Sequence, residues 1–281
     1  MRIHHLSCGS LCPHGGSLIG GEGGPLSRVH VVCHCLLIES SDGLVLVDTG
    51  FGSGDARNPA QLGQPFRATL SPRPRLEETA LAQVGALGFD PADVRHIVAT
   101  HLDPDHAGGL PDFPQADVHV FGPELEAALR PRLDERARYR RAHIAHGPHW
   151  VEHRSEAGGD RWFGFESVRI LPRLDGAVAL IPLIGHSRGH TGVAVRDGKR
   201  WLLHCGDAYF HHGQVETPPT CPPGLVVFQR LLVADHGART ANTERLRELA
   251  AAHGEEVALF CSHDPHELER EQAARPTAAA T

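Results

Sequence analysis

Four potential metal ligands, His101, Asp103, Asp105 and His106, fall within six residues and follow directly on a short apolar run, His96–Thr100. This segment, Thr100-His101-Leu102-Asp103-Pro104-Asp105-His106-Ala107-Gly108-Gly109, constrains the chain more than any other. A loop leaving a buried strand turns alternate side chains toward one point. Two carboxylates and two imidazoles gathered there without a cation would repel one another and lose hydration together. With a cation they are ordinary ligands. Gly108 and Gly109 let the backbone turn closely behind the donors. The chain holds 22 histidines, and histidine is both the commonest metal ligand and the usual acid or base near neutral pH. The remaining histidines therefore also need a place.

The surrounding pattern predicts the scaffold. Residues 31–39 (VVCHCLLIE) and 44–48 (LVLVD) are apolar β-rich runs joined by Ser40-Ser41-Asp42-Gly43, a hairpin signal. The Pro-, Gly- and Arg-rich stretch 51–75 reads as a long surface loop. Residues 76–88 space their apolar positions by three and four and end at Gly88, the signature of an amphipathic helix. A strand is predicted over 117–121, a helix over 123–141 and irregular chain over 142–164. Strands follow over 165–171, 177–184, 192–196 and 200–204. A proline-rich irregular stretch, 211–224, precedes a helix over 240–253 and a last strand over 256–260. The two halves look alike, with strands interleaved by helices. That predicts helices packed outside a two-sheet core, an α+β fold in the form of a four-layer αββα sandwich. No linker separates the halves, so residues 1–269 form one domain, and the Ala/Thr-rich residues 270–281 are expected to be a disordered tail.

Charge and composition narrow the function. The formal net charge is −7, which argues against general affinity for nucleic acid or anionic membranes. No apolar run reaches about 18 residues, the length of a membrane span. Met1–Gly24 carries one Arg and no apolar run, unlike a secretory signal. A cytoplasmic protein with reduced thiols is expected, the seven cysteines serving as small buried residues. A small-molecule substrate fits these features, and a homodimer is compatible with them.

The ligand segment resembles the His-x-His-x-Asp-His motif of the metallo-β-lactamase superfamily. Four further pieces follow that family's order. Leu46-Val47-Asp48-Thr49-Gly50 is similar to its strand-end motif. Gly185-His186-Ser187-Arg188-Gly189-His190-Thr191 looks like its Gly-His-Thr-x-Gly-His segment. Cys205-Gly206-Asp207 stands where the family places its bridging Asp, and Phe260-Cys261-Ser262-His263-Asp264 where it places its last ligand. The resemblance implies the metallo-β-lactamase fold and two divalent metal ions. One would be held by His101, Asp103 and His190, the other by Asp105, His106 and His263, with Asp207 between them. It implies hydrolysis by a metal-bound hydroxide, with Asp105 and Asp207 in the catalytic centre. His186 and Asp48 are expected to orient ligands rather than to bind metal. His34 and His204 are expected to be packed on strands, and His211 and His212 are candidates for the pocket lining.

The chain departs from the family at Asp103, where most relatives have His. Zinc remains the first expectation, while the added carboxylate admits iron or manganese. Length and layout look most like the N-acyl-homoserine lactonase branch, which implies a lactone or related ester as substrate. Those lactonases carry a Tyr three residues after the bridging Asp. Here that position is Phe210, so Tyr209 is the expected substitute. Tyr139, His146, His149, Trp150, Trp162 and Phe163 are expected to wall an apolar pocket. The Arg-rich run Arg130 to Arg141 reads as a solvated helix face. A thioesterase, a phosphodiesterase and a non-catalytic metal- or ligand-binding protein are the alternative readings.

Overall fold

The computed structural model describes residues 1–21, 23–156, 159–170 and 176–274. The first half runs β1 (Arg2–Leu11), α1 (Gly16–Ile19), β2 (Val31–Ser40), β3 (Gly43–Val47), α2 (Ser53–Arg57), α3 (Gln64–Leu70), α4 (Ala80–Ala86), β4 (Val94–Val98), α5 (Pro104–Ala107), β5 (Asp117–Phe121), α6 (Gly122–Leu129), α7 (Arg141–Ile144) and β6 (His149–His153). The second runs β7 (Arg161–Trp162), β8 (Phe165–Glu166), β9 (Val168–Ile170), β10 (Val178–Pro182), β11 (Thr191–Asp197), β12 (Arg200–His204), α8 (Pro223–Leu232), α9 (His236–His253), β13 (Val257–Phe260) and α10 (Pro265–Ala274).

Strands β1 to β6 form one sheet in sequence order, antiparallel through β3 and parallel from β3 to β6. The second sheet has the order β13-β12-β11-β10-β9, with only the β12–β13 pair parallel. The central strands are apolar at nearly every position because both of their faces are buried. Leu36, Ile38, Val45, Val47 and Val98 point between the sheets and meet Val178, Leu180, Val193, Val195 and Phe260. Cys35, Leu37, Leu46 and Ile97 alternate to the other face, where Val84 of α4 and Leu125 of α6 cover them. On the far side Ile181, Ala194 and Leu203 pack against Leu246 and Leu249 of α9. This is the αββα sandwich that the pattern predicts. Each large apolar side chain so buried contributes roughly 1.5–3 kcal/mol.

Several elements differ from expectation. The helix predicted over 123–141 stops at Leu129, because Pro131 cannot continue a helix and disfavours helical geometry at Arg130. Residues 149–153 are not irregular but pair with β5 as the edge strand β6. The sequence pattern predicts neither strand β1 nor helix α8: two histidines, two serines and a glycine interrupt the apolar pattern of one, and prolines crowd the start of the other. The tail expected from residue 270 instead begins as the last turns of α10. There the Arg270 guanidinium donates to the Leu259 carbonyl at 2.6 Å, and Gln272 Nε2 donates to the His5 carbonyl at 3.0 Å. The remainder of that tail, 275–281, lies outside the described residues. All seven cysteines are free thiols, and no helix among the described residues is long and apolar enough to cross a membrane.

Candidate metal centre

The parallel strands deliver the site. β3 and β4 end side by side at one rim of the first sheet, and β12 and β13 end together at one rim of the second. The Thr191 amide donates to the Thr100 carbonyl at 2.9 Å, so the loop before β11 is joined to the loop after β4. Side chains from these loops then converge on Asp207. Its Oδ1 lies 3.3 Å from His106 Nε2 and 3.2 Å from His263 Nε2. Its Oδ2 lies 3.4 Å from His186 Nε2 and 3.8 Å from His101 Nε2. Asp103 Oδ2 is 3.4 Å from His101 Nε2 and 3.1 Å from His186 Nε2, and Asp105 Oδ2 is 3.6 Å from His263 Nε2. Donors bound about 2.0–2.2 Å from one ion stand about 3–3.6 Å apart, so these spacings suit two ions that share Asp207.

The ring nitrogens facing away from the centre are fixed by hydrogen bonds. Asp48 ends β3 with a positive φ of 55°. Its Oδ2 accepts from His106 Nδ1 at 2.8 Å and from Thr100 Oγ1 at 2.7 Å, and Oδ1 accepts from the Thr100 amide. Thr100 Oγ1, having donated its proton to Asp48, accepts from His101 Nδ1 at 3.0 Å. His263 Nδ1 donates to the Val32 carbonyl at 2.8 Å. Each of the three rings thus turns a bare Nε2 toward the centre. His101 Nε2, Asp103 Oδ1 and Asp207 Oδ1 are buried without a hydrogen-bond partner. Buried polar atoms are rarely left so; a cation in the first position would satisfy His101 Nε2, and one in the second would satisfy Asp207 Oδ1. Charge points the same way. Although burial opposes it, the Asp207 and Asp48 carboxylates push the His106 imidazole well above its ordinary pKa, and Asp207 and Asp105 raise His263. Burial likewise works against Asp207, yet His263 and His106 hold its carboxyl well below the usual range. The cluster attracts positive charge, as protons or as metal.

Six of the seven expected ligands meet here; His190 does not. Its Nδ1 donates to the Leu183 carbonyl at 2.9 Å, and its Nε2 accepts from the Asp207 amide at 2.8 Å, so both nitrogens are used. The Leu183 amide donates to the His190 carbonyl, which makes His190 an extension of the β10–β11 pairing and sets its side chain by strand direction. The place expected for it is filled by His186, at the middle of the same loop. Tyr209 is also displaced. It is 0% exposed in the core beneath α9, and its hydroxyl donates to the Glu267 carboxylate at 2.9 Å. Phe210 takes the cavity side, with its ring 5.4 Å from that of His263.

The centre opens on a cavity of about 870 Å³. Its apolar wall includes Val31, Phe66, Leu70, Phe210, Phe228 and Leu232. None of the six residues expected to wall it does so: Trp162 packs on Trp201, Tyr139 donates to Glu124, and His149 is exposed. His211 and His212 do line it, with His212 Nδ1 donating to Asp264 Oδ2 at 2.7 Å. His204 is packed as expected, its Nε2 donating to the His34 carbonyl at 2.7 Å.

Two groups were not singled out by the sequence. Glu124, fully buried at the start of α6, accepts from the Leu102 amide at 3.0 Å, the Gly189 amide at 3.1 Å and the Ser187 hydroxyl at 2.5 Å. It thereby ties the two ligand loops together. A carboxylate in the first turn of an apolar helix was the available signal, but that position also suits the helix dipole with no other role. The second is Arg138. The 130–141 segment is not helical through most of its length, and although Arg130, Arg132, Arg136 and Arg141 are exposed as expected, Glu135 accepts two bonds from Arg188, at 2.8 and 2.9 Å, and Arg138 reaches Asp103.

The family model described as the metallo-beta-lactamase superfamily matches residues 29–263. A Mycobacterium tuberculosis protein named a "Probable metallo-hydrolase" is 42% identical over 276 residues, 97% of this chain and 84% of that protein. The N-acyl homoserine lactonase of Azorhizobium caulinodans is 33% identical over 133 residues, 47% of this chain and 49% of its own. Among solved structures, an N-acyl homoserine lactone hydrolase with N-hexanoyl-L-homoserine bound at its catalytic metal centre superposes with a TM-score of 0.72 at 22% identity, covering 97% of this chain and 95% of that one. That last likeness is one of fold.

Proposed function

The chain belongs to the metallo-beta-lactamase superfamily, as a metallo-hydrolase related to the N-acyl homoserine lactonases, and we propose that it is a dinuclear enzyme that opens lactones or cleaves related esters bearing an apolar chain. The observation that carries this reading is the two-sided Asp207 carboxylate. One oxygen faces His106 and His263, and the other faces His101 and His186. His101, Asp103 and His186 would hold the first ion, and Asp105, His106 and His263 the second. Two divalent ions bound there would supply a water acidic enough to attack near pH 7 and a Lewis acid for the substrate oxygen. Zinc suits the imidazole and carboxylate donors, and Asp103 with Asp105 makes the set oxygen-rich enough for iron or manganese.

The chain's own residues do the positioning. Asp48 fixes the rings of His106 and His101, and the His190 ring holds the Asp207 amide in place. The cavity wall favours a substrate with an acyl chain over a polar phosphodiester. Neither the buried phenol of Tyr209 nor the Phe210 ring offers a hydroxyl to the substrate carbonyl, so the reaction leans on the metal centre more than it would in the lactonase branch. The test is elemental analysis of the purified protein together with turnover of acyl-homoserine lactones, aliphatic lactones, thioesters and phosphodiesters. Two ions per chain and lactone opening are expected. Cleavage confined to thioesters or phosphodiesters would remove the lactone reading and leave the dinuclear hydrolase. No turnover by fully loaded protein would favour a binding role.

A further inference from the structure

A cation already bonds two donors of the first position. Arg138 Nη1 donates to Asp103 Oδ2 at 2.6 Å and to His186 Nε2 at 2.9 Å, and Nη2 donates to the Leu232 carbonyl at the end of α8. The side chain is 14% exposed, and a guanidinium stays protonated in proteins. His186 Nε2 and Asp103 Oδ2 are two of the atoms that would bind the first ion, and the guanidinium takes their lone pairs. An ion at ordinary bond lengths and Nη1 at these distances claim the same directions. They also repel, because a dication and a guanidinium a few ångströms apart are both positive.

Among the described residues the second position has no such competitor. Its carboxylates, Asp105 and Asp207, face His106 and His263. Nor is Arg138 a stray surface chain. Its segment is clamped by the Arg188–Glu135 pair and by the Tyr139 hydroxyl, which donates to the buried Glu124 at 3.1 Å. The backbone therefore presents the guanidinium to the first position from a fixed frame.

We infer that Arg138 is an internal counter-cation that competes with metal for the first position, so that the two positions load in order. The second fills first, and the first fills only when Arg138 releases Asp103 and His186. This rests on the dinuclear reading above. At limiting metal the protein then carries one ion, held by Asp105, His106, His263 and Asp207.

The test is a calorimetric or chelator-competition titration of metal-stripped full-length protein with Zn²⁺, repeated with Co²⁺. Wild type should show two classes separated by about tenfold or more in affinity. His186→Ala should abolish the weaker class and His263→Ala the tighter. Arg138→Met, of similar length and no charge, should tighten the weaker class by about tenfold or more and leave the tighter one alone. Arg138→Gln should do the same if loss of the long side chain unsettles the Met variant, with folding checked by circular dichroism. Arg138→Lys keeps the charge and should stay near wild type. Two classes of equal affinity in wild type, or neutral variants that leave the weaker class unchanged or weaken it, would overturn the proposal. Two equal sites with intact turnover would overturn it while sparing the dinuclear hydrolase. A protein that binds no ion at all would overturn both.

Discussion

The two metal positions share one carboxylate and one loop, yet they are built differently. The second is framed by the sheets. His106 rests on Asp48 at the end of β3, and His263 on the carbonyl of Val32 in β2. The first depends on connecting segments. Asp103 is held by Arg138 from the 130–140 segment, and His186 comes from the loop between β10 and β11, its Nδ1 without a hydrogen-bond partner. His101 ties this position to the sheet through Thr100 to Asp48, as does the shared Asp207, which follows β12. A site set by strand ends is preorganised by the same packing that makes the fold. A site set by loops is adjustable, and substitution there can change metal preference without disturbing the core.

The comparison fails first at the residue common to both sides. Asp207→Ala removes a donor from each position at once, so both ions should be depleted. Turnover of any substrate the wild type accepts should fall by about a thousandfold or more. Elemental analysis and initial rates measure this. Depletion of one ion only would show that Asp207 serves one position and that the symmetry of its two oxygens is incidental.

Two histidines four residues apart sharpen it. His186→Ala should cost the first ion and leave the second. His190→Ala should leave both donor sets intact but free the Asp207 amide, costing about 10- to 100-fold in affinity or rate, as loss of a supporting contact does. If His190→Ala instead removed one whole ion while His186→Ala removed none, the placement of these two rings would be wrong. Asp48→Asn comes next in size. The amide oxygen can still accept one bond, but the nitrogen cannot accept from His106 Nδ1. The second position should weaken by about 10- to 100-fold, and the first by less because Thr100 intervenes. Equal loss at both positions would mean that the Thr100 relay matters as much as the direct bond.

The same contrast explains what the sequence made legible. Asp105 and His106 in α5, reached from the end of β4, and Asp207 and His263, each three residues past β12 or β13, follow apolar runs whose burial forces the turn that presents them. Strands 31–40, 43–47 and 117–121 were readable for the same reason. The loop-borne groups were not. His186 and His190 occupy one glycine-flanked loop, and only the pairing of His190 with Leu183 decides which ring is turned away. Its place immediately before the apolar run of β11 was the usable signal. Tyr209 and Phe210 pose the same problem, since neighbouring residues face opposite ways and a one-residue choice moves the phenol from cavity to core. Arg138 was hidden among six arginines over 130–141, where charge density suggests solvent, and nothing local marks the one that turns inward.

The smallest effect concerns the frame behind the second position rather than its donors. Glu267 in α10 accepts from the Cys261 amide at 2.7 Å, two residues before His263, and from the Tyr209 hydroxyl. Burial pushes its carboxyl up to about 7, from an ordinary 4.5. A raised carboxyl pKa means that the folded protein keeps a proton the unfolded chain releases. The stability this contributes is complete below about 4.5 and is lost as pH rises through 7, because in that window the unfolded state binds fewer protons. The loss is on the order of 3 kcal/mol. Glu267→Gln has no such proton to lose. It should match or fall slightly below wild type at pH 5 and exceed it at pH 8 by roughly 3–6 °C in Tm. Metal content should be unchanged, since Glu267 touches none of the donor atoms. Thermal melts of metal-loaded protein across pH 5 to 8 measure this. A parallel pH profile for variant and wild type would show that Glu267 titrates normally in the fold. A loss of the second ion would show that frame and donors cannot be separated, and the distinction between a sheet-built and a loop-built position would then fail on the side where it looks strongest.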